Sequence, residues 1–213
     1  MADPYELNDT EPAAPALPGE AVVLRDAYAA VDALAERLMS IAVAAVERRD
    51  AFDLAVVYGP SLDRLFTHLC IDPRYRLLPW DSTGLWVHDA VPQPAGDRPD
   101  ATQQVREGLV EYVPMDPARL HAVPPRGTAG RKGGADGLLA PLPTTYDLLL
   151  VDAEAAPAFD DDTPSRLSAS AAVLALGNQS RPAVRAAELG LGPAWLLNHL
   201  APRWFLDPPA SAD

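Results

Sequence analysis

The sequence predicts an α/β fold, a largely parallel sheet flanked by helices. Three observations carry that prediction. The runs Phe52-Asp53-Leu54-Ala55-Val56-Val57 and Tyr146-Asp147-Leu148-Leu149-Leu150-Val151 are nearly continuous in apolar residues, as expected of parallel strands covered on both faces. Between such runs, apolar residues recur at three- and four-residue spacing, the mark of a helix with one buried face. Strand-like and helix-like segments then alternate along the chain, the order of βαβ units.

Residues 1–19 are rich in Pro, Ala and Glu and read as a disordered arm. Residues 20–207 form one domain, and 208–213 a tail. Ala21-Val22-Val23-Leu24 reads as a short strand. Asp26 is placed to accept from free N–H groups at the start of a helix. Tyr28, Val31, Leu34, Leu38, Ile41 and Ala45 mark that helix's apolar face, and Glu47-Arg48-Arg49-Asp50 ends it. After the strand 52–57, Tyr58-Gly59-Pro60-Ser61 turns the chain into a helix over 62–69, with Leu62, Leu65, Phe66 and Leu69 on one side. Further strands are predicted at 84–87, 120–123, 146–151, 171–176 and 204–206, and helices at 101–112, 181–189 and 195–200. Residues 124–144 are a long Pro/Gly-rich loop, of a length that inside a domain is functional or disordered.

Acidic residues outnumber basic ones 30 to 17, for a formal net charge of -13. Nucleic-acid binding needs a basic face, so that class is excluded, and anionic membranes are disfavoured. No apolar run reaches membrane-spanning length, and no basic region followed by an apolar core marks a secretory signal. The expectation is a soluble, cytoplasmic protein. The single cysteine, Cys70, excludes an internal disulfide and a cysteine-rich zinc site, and reads as a packed core thiol. The single lysine, Lys132, lies in a glycine-rich loop with no apolar wall to lower its pKa, so Schiff-base chemistry is set aside.

Four segments carry residues with chemical potential. At Tyr58-Gly59-Pro60-Ser61, a glycine admits close backbone approach and the following helix start offers N–H groups to an anion. Ser61 could donate a hydroxyl, and Arg64 lies one turn on. His88-Asp89 ends a strand, but adjacent residues on extended chain point opposite ways and do not pair. Gly127 to Gly134 lacks the G-x-x-x-x-G-K-[ST] order of a phosphate loop. Asp152, Glu154, Asp160, Asp161 and Asp162 lack the spacing of a calcium loop and read as a solvated acidic loop. The histidines are scattered, so no metal site and no cofactor is expected.

In their order along the chain these segments resemble the family of 6-phosphogluconolactonase and glucosamine-6-phosphate deaminase. Tyr58-Gly59-Pro60-Ser61-Leu62 stands where that family has Ser-Gly-Gly-Ser-Thr-Pro, and Leu65-Phe66 where it has Leu-Tyr. Asp89-Ala90-Val91-Pro92 is similar to its Asp-Glu-Arg-x-Val-Pro stretch, shortened and without the arginine. Leu120-His121-Ala122-Val123-Pro124, Arg166-Leu167-Ser168, Gly177-Asn178-Gln179-Ser180-Arg181 and Trp204-Phe205-Leu206-Asp207 resemble later family segments. The resemblance implies an abbreviated, Rossmann-like lactonase fold. It also exposes a departure. After Leu148-Leu149-Leu150-Val151 the family has a Gly-x-Gly-x-Asp-Gly-His motif, whose histidine serves as general base; this chain runs through Asp152-Ala153-Glu154 to Phe159-Asp160 with no glycine and no histidine.

Three functional expectations follow. The first is a homologue that does not hydrolyse lactone. It binds a phosphorylated sugar or sugar acid through Gly59, Ser61, Arg64, Arg166 and Arg181, or acts through a protein partner. The second is an active 6-phosphogluconolactonase of the pentose phosphate pathway with a relocated base. The catalytic candidates are then His88 with Asp89 beside it, or His121. The third is a subunit of a larger assembly, with the arm and the 124–144 loop as contact elements.

Overall fold

The computed structural model describes residues 17, 19–88, 100–123, 143–153, 155, 173–178 and 202–207. Outside these lie most of the arm, Asp89, most of the 124–144 loop, Arg166, Arg181, His199, the expected helices at 181–189 and 195–200, and the tail.

Seven parallel strands form one sheet: β1 (Glu20–Val23), β2 (Phe52–Val57), β3 (Thr83–His88), β4 (Leu120–Val123), β5 (Leu148–Asp152), β6 (Val173–Asn178) and β7 (Arg203–Asp207). Their order is β1-β7-β6-β5-β2-β3-β4, and every neighbouring pair is parallel. From β2 the chain steps outward to β3 and β4, then returns to β5 on the other side of β2. The strand order therefore reverses between β2 and β5. At such a point the connections diverge and leave a crevice beyond the carboxyl ends of the strands, where open α/β sheets take their ligands.

Three helices are described: α1 (Ala27–Arg49), α2 (Leu62–Ile71) and α3 (Ala101–Gly108). Asp26 caps α1 as its position predicts, accepting the Ala29 N–H at 2.7 Å. The helix stops at Asp50, whose φ of 56° is left-handed and whose N–H reaches back to Val46. Ala30, Val31, Leu34, Ala35, Leu38, Ala42 and Ala45 are buried and join Leu54, Val56, Leu85, Val87, Leu148 and Leu150 in the main core on the helical side of the sheet. Alternate strand residues face the other way. Ala55, Val57, Trp86, Val123, Tyr146, Leu149, Val151 and Trp204 form a second core there, as the period of two along a strand requires.

Several expectations are corrected. Tyr28 is 61% exposed rather than packed in the core; its ring instead meets His68 of α2 edge-on at 5.2 Å, at the lip of the groove between α1 and α2. Cys70 packs against the main core but is only half-buried; its Sγ lies 3.9 Å from the Gly108 carbonyl, and burial pushes its pKa up. The helix expected over 101–112 ends at Gly108, and Val110–Tyr112 is a tighter 3-10 turn. The strand expected at 146–151 starts at Leu148. Asp147 still bonds β2 just before it, its N–H donating to the Asp53 carbonyl at 3.0 Å, while its carboxylate accepts from the Asp53 N–H at 2.8 Å, from Arg48 Nη2 at 3.3 Å and from Arg49.

Candidate functional site

The turn between β2 and α2 stands at the strand-order reversal. Its local form follows from its residues. Tyr58 stacks on Phe66 at 6.1 Å and donates its hydroxyl to Asp63 at 2.5 Å, pinning the turn to the first helical turn of α2. Burial first, then the Asp63 hydrogen bond and the charges of Asp63 and Asp152, pushes the Tyr58 phenol well above its usual range. The Leu62 and Asp63 N–H groups bond back to Gly59 and Pro60. Ser61 makes no side-chain capping bond, so its hydroxyl does not play the local role its position allows.

The Ser61 backbone N–H is nevertheless satisfied. It donates to Asp152 Oδ2 at 2.7 Å. Asp152 is the last residue of β5 and is 0% exposed, which corrects the expectation of a solvated acidic loop at this position. Strand alternation explains the placement. Leu148 and Leu150 face the helical side, so Asp152, two residues on, points toward α2 as well. A buried carboxylate is tolerated only with strong donors, and a helix start supplies one while its dipole favours negative charge. Gly59 is required by the same contact. A methyl built on it would lie 2.5 Å from Asp152 Oδ2 and 2.6 Å from Cγ, distances no real side chain keeps.

The histidines offered as replacement bases lie elsewhere. His88 ends β3 with the parity of Trp86, on the sheet face away from α2. It is buried, and its Nε2 lies 3.2 Å from the Tyr146 hydroxyl, the two rings being edge-on at 5.6 Å. His121 on β4 stacks on Trp86 with ring centroids 4.1 Å apart. Its pKa is lowered by burial, a pull that the nearby Asp53 partly opposes. The two imidazoles thus share an aromatic cluster with Trp86 and Tyr146.

Arg64 lies on the exposed side of α2 and lines a groove of about 380 Å³ against α1, with Ala27, Tyr28, Val31, Asp63, Thr67, His68 and Ile71. Deep beside it, His68 Nε2 lies 2.8 Å from Asp32 Oδ1 and 3.9 Å from Asp72 Oδ2. These three residues have metal-ligating atoms close together, a grouping not anticipated from the sequence because Asp32 and Asp72 are far apart in it. A cation is already there: the Arg74 guanidinium pairs with both carboxylates. Hydrogen bonding and charge from Arg74 lower the Asp72 pKa to about 2. Burial alone would raise the Asp32 pKa, but bonds from His68, Arg74 and Tyr75 bring it below the usual value. The cluster is a polar clasp between α1, α2 and the short 3-10 helix Pro73–Leu77.

Comparison with known proteins places this geometry. The profile of the family described as glucosamine-6-phosphate isomerases/6-phosphogluconolactonase matches residues 25–161. A 6-phosphogluconolactonase from Streptomyces coelicolor is 30% identical over 102 residues, 48% of this chain and 39% of that protein. The match thus spans well under half of that relative. Among solved structures, a 6-phosphogluconolactonase from Thermotoga maritima superposes with a TM-score of 0.63 at 16% identity, over 89% of this chain and 99% of that one. One from Shewanella baltica gives 0.63 at 14%, over 91% and 99%. A monomeric glucosamine-6-phosphate deaminase gives 0.60 at 10%, over 89% and 97%. These structural likenesses are of fold. With the profile covering more than half of its residues, the chain belongs to the glucosamine-6-phosphate isomerase/6-phosphogluconolactonase family.

Proposed function

We propose that this chain is a 6-phosphogluconolactonase-like protein that does not hydrolyse lactone and works by binding. The observation that carries this reading is where the three described histidines sit. Hydrolysis needs a base within hydrogen-bond reach of the attacking water. His88 and His121 face the aromatic cluster on the side of the sheet away from α2. His68 sits in the α1–α2 clasp. At the strand end where the family motif resembled by this chain carries its base, the residues here are Asp152-Ala153. A binding role, toward a sugar derivative or a protein, is supported by exposed apolar side chains at Tyr28, Ile71, Leu77 and Tyr112.

One observation favours a second reading, an active lactonase using His121. Burial holds that imidazole toward its neutral form, the form a general base requires. The deciding experiment is hydrolysis of 6-phosphogluconolactone by the wild type, His88→Ala and His121→Ala. The expected result is no turnover above the spontaneous rate in any of the three. Robust wild-type turnover that drops by roughly 10²–10⁴-fold in one variant would sink the non-hydrolysing reading.

A further inference from the structure

The turn at residues 58–61 has the ingredients of an anion subsite: a glycine, a helix start and a position at the strand-order reversal. Its occupant is part of the chain. Asp152 Oδ2 accepts the Ser61 N–H at 2.7 Å. The carboxylate has no solvent exposure. Independently, the space a Cβ would take at Gly59 is filled by Asp152 Oδ2, Cγ and Cβ, at 2.5, 2.6 and 2.9 Å. The hydrogen-bond donor and the room beside it are thus both used by one side chain from β5.

We propose that Asp152 is the specificity-determining residue of this edge: a built-in anion that occupies the β2–α2 turn and excludes phosphate- or carboxylate-bearing ligands from it. Two effects act together. A ligand anion would have to displace a carboxylate already bonded to the Ser61 N–H. Failing that, it would lie beside a like charge, which opposes its binding.

The inference does not depend on hydrolysis being absent, and the two can fail separately. Turnover of an uncharged lactone would overturn the non-hydrolysing reading and leave this one standing. Phosphate bound at Ser61 without turnover would do the reverse.

The test is titration of the wild type, Asp152→Asn and Asp152→Gly with inorganic phosphate and with 6-phosphogluconate. It is followed by calorimetry and by the Ser61 amide resonance. Asp152→Asn removes the charge while keeping an acceptor for the Ser61 N–H, so it preserves the turn. Asp152→Gly also frees the donor and the space. The wild-type Ser61 resonance is expected not to respond to either anion. Each folded variant is expected to bind at least about tenfold more tightly than the wild type, with the Ser61 resonance shifting. A wild-type Ser61 resonance that moves saturably with phosphate overturns the proposal. So does a folded Asp152→Asn with no gain, which decides the matter even where Asp152→Gly does not fold.

Discussion

The Ser61 N–H and the Asp152 carboxylate, 91 residues apart, meet at 2.7 Å across the boundary between β2 and β5. This bond adds a side-chain link to the β2–β5 ladder at the point where the strand order reverses. It also neutralises a helix start and explains a glycine. Its consequences can be measured.

Gly59→Ala puts a methyl 2.5 Å from Asp152 Oδ2. Relieving that overlap shifts either the turn or the carboxylate, at a cost of about 1–3 kcal/mol. Urea unfolding of Gly59→Ala, Asp152→Ser and the double variant checks the cause. The glycine substitution is expected to cost less in the Asp152→Ser background, because contacting residues are not additive. Equal costs in both backgrounds would show that the overlap is not with Asp152.

At the opposite end of the sheet, Asp147 is nearly buried and joins Arg48, Arg49 and the Asp53 N–H. Asp147→Ala strips a backbone N–H and two guanidinium groups of their acceptor. The expected loss is about 1–3 kcal/mol, chiefly from the Asp53 N–H left without that acceptor, since both guanidinium groups reach water. Arg48→Ala removes only an exposed partner at 3.3 Å and is expected to cost under about 1 kcal/mol. The midpoint of denaturant unfolding reads both, and similar losses in the two variants would contradict the burial argument.

Acid acts on the Arg74 clasp. The Arg74 guanidinium holds the folded-state pKa of Asp72 at about 2, below the usual carboxylate range. A lowered carboxyl pKa contributes stability above the unfolded value and loses it as pH falls through the folded one. The contribution is therefore present above about pH 4 and disappears toward pH 2. Asp32 shifts in the same direction. Arg74→Gln is expected to flatten the stability curve across that window; an unchanged slope from pH 4 to 2 would exclude the clasp as its source.

His121 predicts a window of the same sign at higher pH. Its pKa is lowered by burial against Trp86, so below about pH 6.5 the unfolded chain binds a proton that the folded one resists. Stability is fully present above that pH and falls as pH drops toward the folded pKa. His121→Phe keeps an aromatic ring against Trp86 and removes the titration. Its stability is expected to be flatter than the wild type's on the acid side of pH 6.5, measured by thermal unfolding across pH 5–8.

Much of the fold is legible from local pattern. The apolar runs at 52–57 and 148–151 require cover on both faces, and the spacing from Val31 to Ala45 requires a helix lying on them. Asp26 and the turn at 58–61 fall where those elements begin. The errors sit at element edges. Tyr28 keeps the apolar period but meets His68 at the surface. The strand starts at Leu148, and Asp147 just before it takes partners that periodicity does not encode.

By itself the sequence determined the parallel α/β class, the order of the described strands and helices, and the family resemblance. Only the tertiary structure decided what Asp152 does. A carboxylate after an apolar strand is solvated unless a donor arrives from elsewhere, and here the donor is the start of a helix 91 residues earlier in the chain. Periodicity reports which face a residue takes, because that depends on its near neighbours. It carries no information on which distant N–H waits at that face, and the balance between desolvation and hydrogen bonding at Asp152 draws on that N–H.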